Sequence, residues 1–250
     1  MAYKAEADNQ QKTLNIENKR NGFSVPLFSN PPVERREIMA DINVEKAELR
    51  KQIISAANIY KSNLAGRVYL YVCGDEYFEV AYMTDCFKHL TGVESPLRGN
   101  AFYDNAKRAT LTTDQIYFSS RHPLKTAKKK VLCLHQLPQL TRDLVCVVKD
   151  MQTITITYKL GITNLEFTVG LTENINADGI KVNEWLVPRT LRINDKAIDQ
   201  ANDAEFVDFI FEKKATENVY NRVRYASNDV HVPEGIKHLL SETLQMNYFS

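Results

Sequence analysis

Apolar residues recur at helical spacing from Val44 onward. In VEKAELRKQIISAANIYKSNLAG, the residues Leu49, Ile53, Ala56, Ala57, Tyr60 and Leu64 share one stripe, with Asn43 placed to cap the start and Gly66 to close the end in a left-handed turn. The next segment, VYLYVCGDEYFEVAYM, has two runs of aromatic and β-branched residues around Gly74, Asp75 and Glu76, which predicts a β-hairpin. FKHLTGV predicts a short helical turn ending near Gly92. Asn100 is placed to cap a helix with Phe102, Ala106 and Ala109 on one face, and Pro123 to open another that stops before Pro138. In that last helix Leu124, Ala127, Val131 and Leu134 line one side, opposite Lys125, Lys128 and Lys129.

From Leu144 the period changes to two. Ile154, Ile156, Tyr158 and Leu160 alternate with threonines, and Leu165, Phe167, Val169 and Leu171 alternate with smaller or polar residues, with turns expected at Asp150-Met151-Gln152 and at 161–164. Residues 183–193 and 205–213 are further strand candidates, and Pro233 starts a short C-terminal helix. The sequence thus predicts an α+β fold: an N-terminal helix and hairpin, basic helices, then an antiparallel meander with helices packed on one face. Residues 1–42 carry few large apolar side chains and the breaker cluster PLFSNPP, so they are expected to form a flexible or extended arm before a domain at 43–226 and a tail at 227–250.

Composition changes this picture little. The 250 residues are 44% hydrophobic and 25% charged, and 32 Lys and Arg against 31 Asp and Glu leave a net charge of +1, so no global field selects a polyanionic or membrane partner. No apolar run is long enough to cross a bilayer and the N-terminus lacks a signal-peptide core, which predicts a cytoplasmic protein without a membrane partner. Cys73, Cys86, Cys133 and Cys146 are far apart, mostly among apolar residues, and form no C-x-x-C pair. They read as buried free thiols, with no metal site and no cofactor expected. Gly-rich phosphate loops, G-x-S-x-G and H-E-x-x-H are absent from the sequence.

Charge is unevenly distributed, however. Residues 98–149 hold ten Lys and Arg against three Asp, a local +7, whereas residues 173–217 hold ten acidic against six basic side chains, a local −4. A basic helical face with nearby aromatic rings suits phosphates and bases. The plainer alternative is a solvated helix surface at Lys125, Lys128, Lys129 and Lys130. His89 lies in a helical segment with Thr91 two positions on, and Tyr103 and Lys107 are spaced as neighbours on the next helix. Histidine, threonine, tyrosine and lysine are the groups that metal-independent phosphodiester cleavage requires: a base, an acid, and cations for the charge developing on phosphorus. Arg189 is a further phosphate contact through its planar fork of donors, and Lys213 follows a strand toward the same region.

At these residues the chain resembles the fourth phage-associated group of the Barnase, EndoU, colicin and RelE-like (BECR) nucleases. The matching segments are F-x-H-L-T-G-V at Phe87 to Val93, A-F-Y-D-N-A at Ala101 to Ala106, a Lys-rich helix running into V-L-C-L at 131–134, and I-F-x-K at Ile210 to Lys213 followed by Tyr220. The resemblance implies an α+β, metal-independent ribonuclease of the toxin or effector type carried by phages and mobile elements. It places His89 and Thr91 in the cleft, with Tyr103, Lys107 and Lys213 around the phosphate. RNA, including tRNA, is the implied substrate, and an inhibitor or antitoxin protein a further partner. Two features of the sequence oppose activity: the acidic stretch from Glu173 to Glu217, and the lack of a second histidine in a comparable motif. The competing expectation is a non-catalytic phage protein that binds nucleic acid or protein through the same cleft.

Overall fold

The computed structural model describes residues 33–152, 157–193 and 202–249. Its first helix, α1, spans Val33–Asn63, beginning well before the expected start because neither Gly nor Pro interrupts the chain over that range. Asn43 therefore lies inside the helix. The segment from Val44 on belongs to the compact unit that carries all features below. Leu49, Ile53, Ala56, Ala57, Tyr60 and Leu64 are all buried, as their spacing requires. The helix closes where Leu64 N and Ala65 N both donate to Tyr60 O, followed by Gly66 at φ +73°.

Among the described residues nine strands form one mixed sheet: β1 Arg67–Cys73, β2 Glu76–Ala81, β3 Cys146–Gln152, β4 Thr157–Thr163, β5 Phe167–Ile175, β6 Lys181–Ile193, β7 Asn202–Phe206, β8 Phe209–Lys214 and β9 Arg222–Ala226. Their spatial order is β7-β3-β4-β5-β6-β2-β1-β8-β9. Every neighbouring pair is antiparallel except β2 with β6, which meet in parallel through the single register pair Val80 and Leu186. The turns predicted in the meander are displaced. Asp150, Met151 and Gln152 continue β3, and residues 161–163 continue β4, because pairing of Cys146 with Thr163 and Gln152 with Thr157 extends both strands past the polar residues. Ile154 and Ile156 fall outside the described residues.

The expected strand at 205–213 is broken at Val207 and Asp208, and that break holds the curl of the sheet. Val207 N donates to Val145 O beside β3, Asp208 N donates to Val72 O on β1, and the Asp208 carboxylate accepts from Gly74 N at 2.7 Å. Two consecutive residues thus bond to both halves of the sheet.

Among the described residues four further helices follow: α2 Cys86–Thr91, α3 Gly99–Lys107, α4 Leu124–Gln136 and α5 Glu242–Phe249. With α1, the first three pack on one face of the sheet, where Tyr60, Tyr71, Phe87, Phe102, Val131, Phe167 and Leu191 belong to one core. The C-terminal segment covers the other face of β1, β2 and β8, adding a second layer to the one-sided packing expected: Val232, Ile236, Leu240 and Leu244 pack with Val68, Leu70, Val72, Phe209, Phe211 and Tyr220. Alternate residues of β1 thus serve two cores, which is why that strand reads as a continuous apolar run.

Candidate active site

His89 reaches solvent because α2 is short and tightly anchored. Phe87 and Leu90 are buried against the core, and the helix ends at Gly92, at φ +72°. Thr91 secures that end: its buried hydroxyl donates to Lys88 O at 2.7 Å and accepts from Val93 N. The Lys88 ammonium binds Ser95 O and Leu97 O, fixing the following loop. A Cβ on Gly99 would lie 2.6 Å from Asp85 O, so only glycine lets α3 start this close to α2. Asn100 sits inside α3, where its Oδ1 accepts from the Thr84 hydroxyl, and Arg98 occupies the cap position.

Arg189 arrives from β6 through an irregularity in register. Gly170 pairs with Thr190 and Leu171 with Pro188, which leaves Arg189 as the extra residue of a β-bulge. On one side of the bulge Val187 packs on the C-terminal layer; on the other Leu191 enters the helical core. The guanidinium Nη1 lies 3.0 Å from His89 Nε2. Arginine has no acceptor, so Nε2 accepts, and the ring is neutral with its proton on Nδ1. Close packing, then the positive charges of Arg189 and Lys88, push this imidazole down to about 4, with Asp85 acting weakly in the opposite direction.

A second histidine joins the first from a loop. Glu94 and Tyr117 exchange backbone hydrogen bonds as an isolated antiparallel bridge, and Ser119 and His122 close a tight turn through reciprocal backbone bonds. This brings His122 Nδ1 to 3.7 Å from a Glu94 carboxylate oxygen that also accepts from the Ser119 hydroxyl. Lys130 approaches from α4, its stem running over Gly92 so closely that a Cβ there would sit 2.6 Å from Lys130 Cδ. His89, His122, Lys88, Lys130, Arg189 and Glu94 line one open cleft of about 540 Å³.

Of the residues singled out from sequence, the structure brings together His89 and Arg189. Thr91 is buried behind them, with its hydroxyl bonded within the end of α2. Tyr103 is buried edge-on between Tyr60 and Phe87, and Lys107 lies over its ring while pairing with Asp104 at 2.8 Å. Lys213 points to the opposite sheet face, where it is buried 3.3 Å from Glu79, over the Tyr220 ring and near Trp185. Lys125 and Lys129 are exposed on α4 away from the cleft lining, and Lys128 pairs with Glu45 on α1 at 2.9 Å. Sequence reasoning missed His122, Lys88 and Lys130. Lys130 falls three residues after buried Ala127 and next to buried Val131, so helical spacing already set it nearer the packed side than Lys129. His122 carried no comparable signal, because only the pairing of Glu94 with Tyr117 brings it here.

Comparison with family models returns the phage-Barnase-EndoU-ColicinE5/D-RelE like nuclease4 family, PBECR4, over residues 52–229. The chain belongs to this nuclease family. Comparisons with curated proteins and with solved structures returned no match. The PBECR4 match runs from within α1 to just beyond β9, so α2, the loop carrying His122, α4 and β6 all lie inside it. A second cavity, of about 400 Å³, opens at the seam between β2 and β6. Glu76, Glu79, Glu184 and Glu205 surround it against one lysine, Lys149, which pairs with both Glu76 and Glu205. Such a lining repels phosphates, and it collects two acidic residues of the stretch that counted against a nucleic-acid partner. Among the described residues no helix is long and apolar enough to cross a membrane.

Proposed function

We propose that this PBECR4 protein is a metal-independent endoribonuclease that cleaves RNA through attack of a 2′-hydroxyl on the adjacent phosphate. The observation that carries the reading is the convergence of two histidines and three cationic side chains on one cleft. His89, held neutral, suits the general base; His122, paired with Glu94 when protonated, suits the general acid. A scissile phosphate entering the cleft draws the Arg189 fork away from His89 Nε2. Nε2 then takes the 2′-hydroxyl proton as the 2′-oxygen bonds to phosphorus, and the 5′-oxygen leaves with the proton from His122. The products are a 2′,3′-cyclic phosphate and a 5′-hydroxyl, with charge on the phosphoryl oxygens met by Arg189, Lys130 and Lys88.

The test is incubation of the purified protein with total RNA, and with tRNA, in EDTA, resolving the fragment ends. Cyclic phosphate termini are expected, with His89→Ala and His122→Ala each slowing cleavage by about 10²–10⁴-fold. Intact RNA under these conditions, or wild-type rates in both variants, overturns the reading.

A further inference from the structure

Away from the His89 cleft, three arginines surround one carboxylate. Glu212 on β8 has a side chain only 6% exposed; Arg67 Nε lies 3.2 Å from it, Arg224 Nε 3.4 Å and Arg222 Nη1 3.8 Å. Strand register explains the convergence. Glu212 pairs with Arg222 on one side and Tyr69 on the other, and Arg67, two residues before Tyr69, shares its face. Arg224 is the extra residue of a second bulge, since Ile210 pairs with Tyr225 and Phe211 with Val223.

One cation suffices to balance a buried carboxylate, so three give this site an excess of cationic donors, although Arg222 also acts, with Lys214, on the neighbouring Glu217 carboxylate. Each guanidinium meets Glu212 through a single nitrogen, Nε in Arg67 and Arg224 and Nη1 in Arg222. The Arg224 Nε is buried without a hydrogen-bond partner among the described residues, despite its closeness to Glu212. Planar forks with unspent donors match the oxygens of a phosphate. Glu212 and Arg189 belong to the same sheet three strands apart, Glu212 level with Leu186 on β6, and the buried Tyr69 and Val80 between them mean that a strand reaching both sites runs around this part of the core.

We infer that Arg67, Arg222 and Arg224 form a second anion site, which holds a backbone phosphate of the nucleic acid strand whose cleavage site lies at His89. The strand as ligand rests on the ribonuclease reading; the excess of charge does not. A labelled 12-nucleotide single-stranded RNA with a fully 2′-O-methylated backbone cannot be cleaved, so its binding is measured by fluorescence anisotropy on the wild-type chain whether or not the protein is a nuclease. Arg222 is the most exposed of the three, at 65%, and is the variant least able to disturb the fold. Arg222→Gln should weaken binding about three- to tenfold and lower the slope of log affinity against log salt by about one. Arg222→Gln/Arg224→Gln should lower both further.

Inorganic phosphate, followed through the Arg224 Nε–H resonance in the same protein, separates the sources of the ligand. Phosphate that shifts this resonance and competes with the RNA supports the site. A shift with phosphate but no binding of the RNA overturns the strand assignment. Wild-type affinity and salt slope in a folded Arg222→Gln, judged by circular dichroism and melting temperature, overturn the inference altogether. Failure of the ribonuclease reading shows instead as uncut natural RNA, with the arginine-dependent binding of the uncleavable strand intact.

Discussion

Arg189 and His89 set each other's chemistry. Burial lowers the His89 pKa most and the arginine charge lowers it further, so Arg189→Gln should raise it part of the way from about 4 toward the ordinary value near 6.5. The acidic limb of kcat/KM, which reports the free enzyme, should rise with it and so cut activity between pH 5 and 6. Because folding lowers this pKa, His89 contributes stability that is complete above about pH 6.5 and lost as pH falls toward 4. Urea melts of His89→Gln over that range should show a shallower loss than wild type. Tyr103 offers the opposite case, since its ring packs between Tyr60 and Phe87. Tyr103→Phe should leave cleavage of RNA within about twofold of wild type, while Tyr103→Ala should cost about 3–5 kcal/mol in denaturant unfolding. Spacing along α3 correctly made Tyr103 and Lys107 neighbours, but spacing says nothing about which other element a helix face meets. That is why a pair matched to a catalytic pattern lies in the core.

At the scale of elements, the turn after α2 concentrates several demands on one residue. Gly92 adopts φ +72° and lies beneath the Lys130 stem, so Gly92→Ala both strains the backbone and displaces a cation from the cleft. A loss of about 1–2 kcal/mol in thermal unfolding is expected, together with a rise in KM for RNA larger than the fall in kcat. This turn was legible in the sequence, as were the first hairpin and the apolar stripes of α1 and α4. Each is specified by residues within one or two helical turns or a tight loop. The bulges at Arg189 and Arg224 were not, because an extra residue exists only relative to the register of a partner strand, and local spacing does not fix that register even where, as here, the partner is the neighbouring strand in the chain. The loop carrying His122 was hidden for the same reason: Glu94 and Tyr117 bridge a gap of more than twenty residues, with α3 between them.

At the scale of the sheet, the strands divide into two groups whose strand pairing is thin where β2 meets β6, with Val207 and Asp208 tying them together a second time. One register pair joins β2 to β6, against six joining β1 to β8. Amide exchange should therefore report earlier opening at Val80 and Leu186 than at Leu70 and Phe211, read by hydrogen–deuterium exchange under native conditions. His89 hangs from the chain just after β2, whereas Arg189 stands on β6, so the cleft is built across this seam. Neither a fragment ending before β3 nor one beginning there carries both partners. The cleft thus depends on contacts between strands far apart in the chain, and a backbone cut between α4 and β3 leaves His89 on one fragment and Arg189 on the other, so that the pair forms only when the two fragments reassociate.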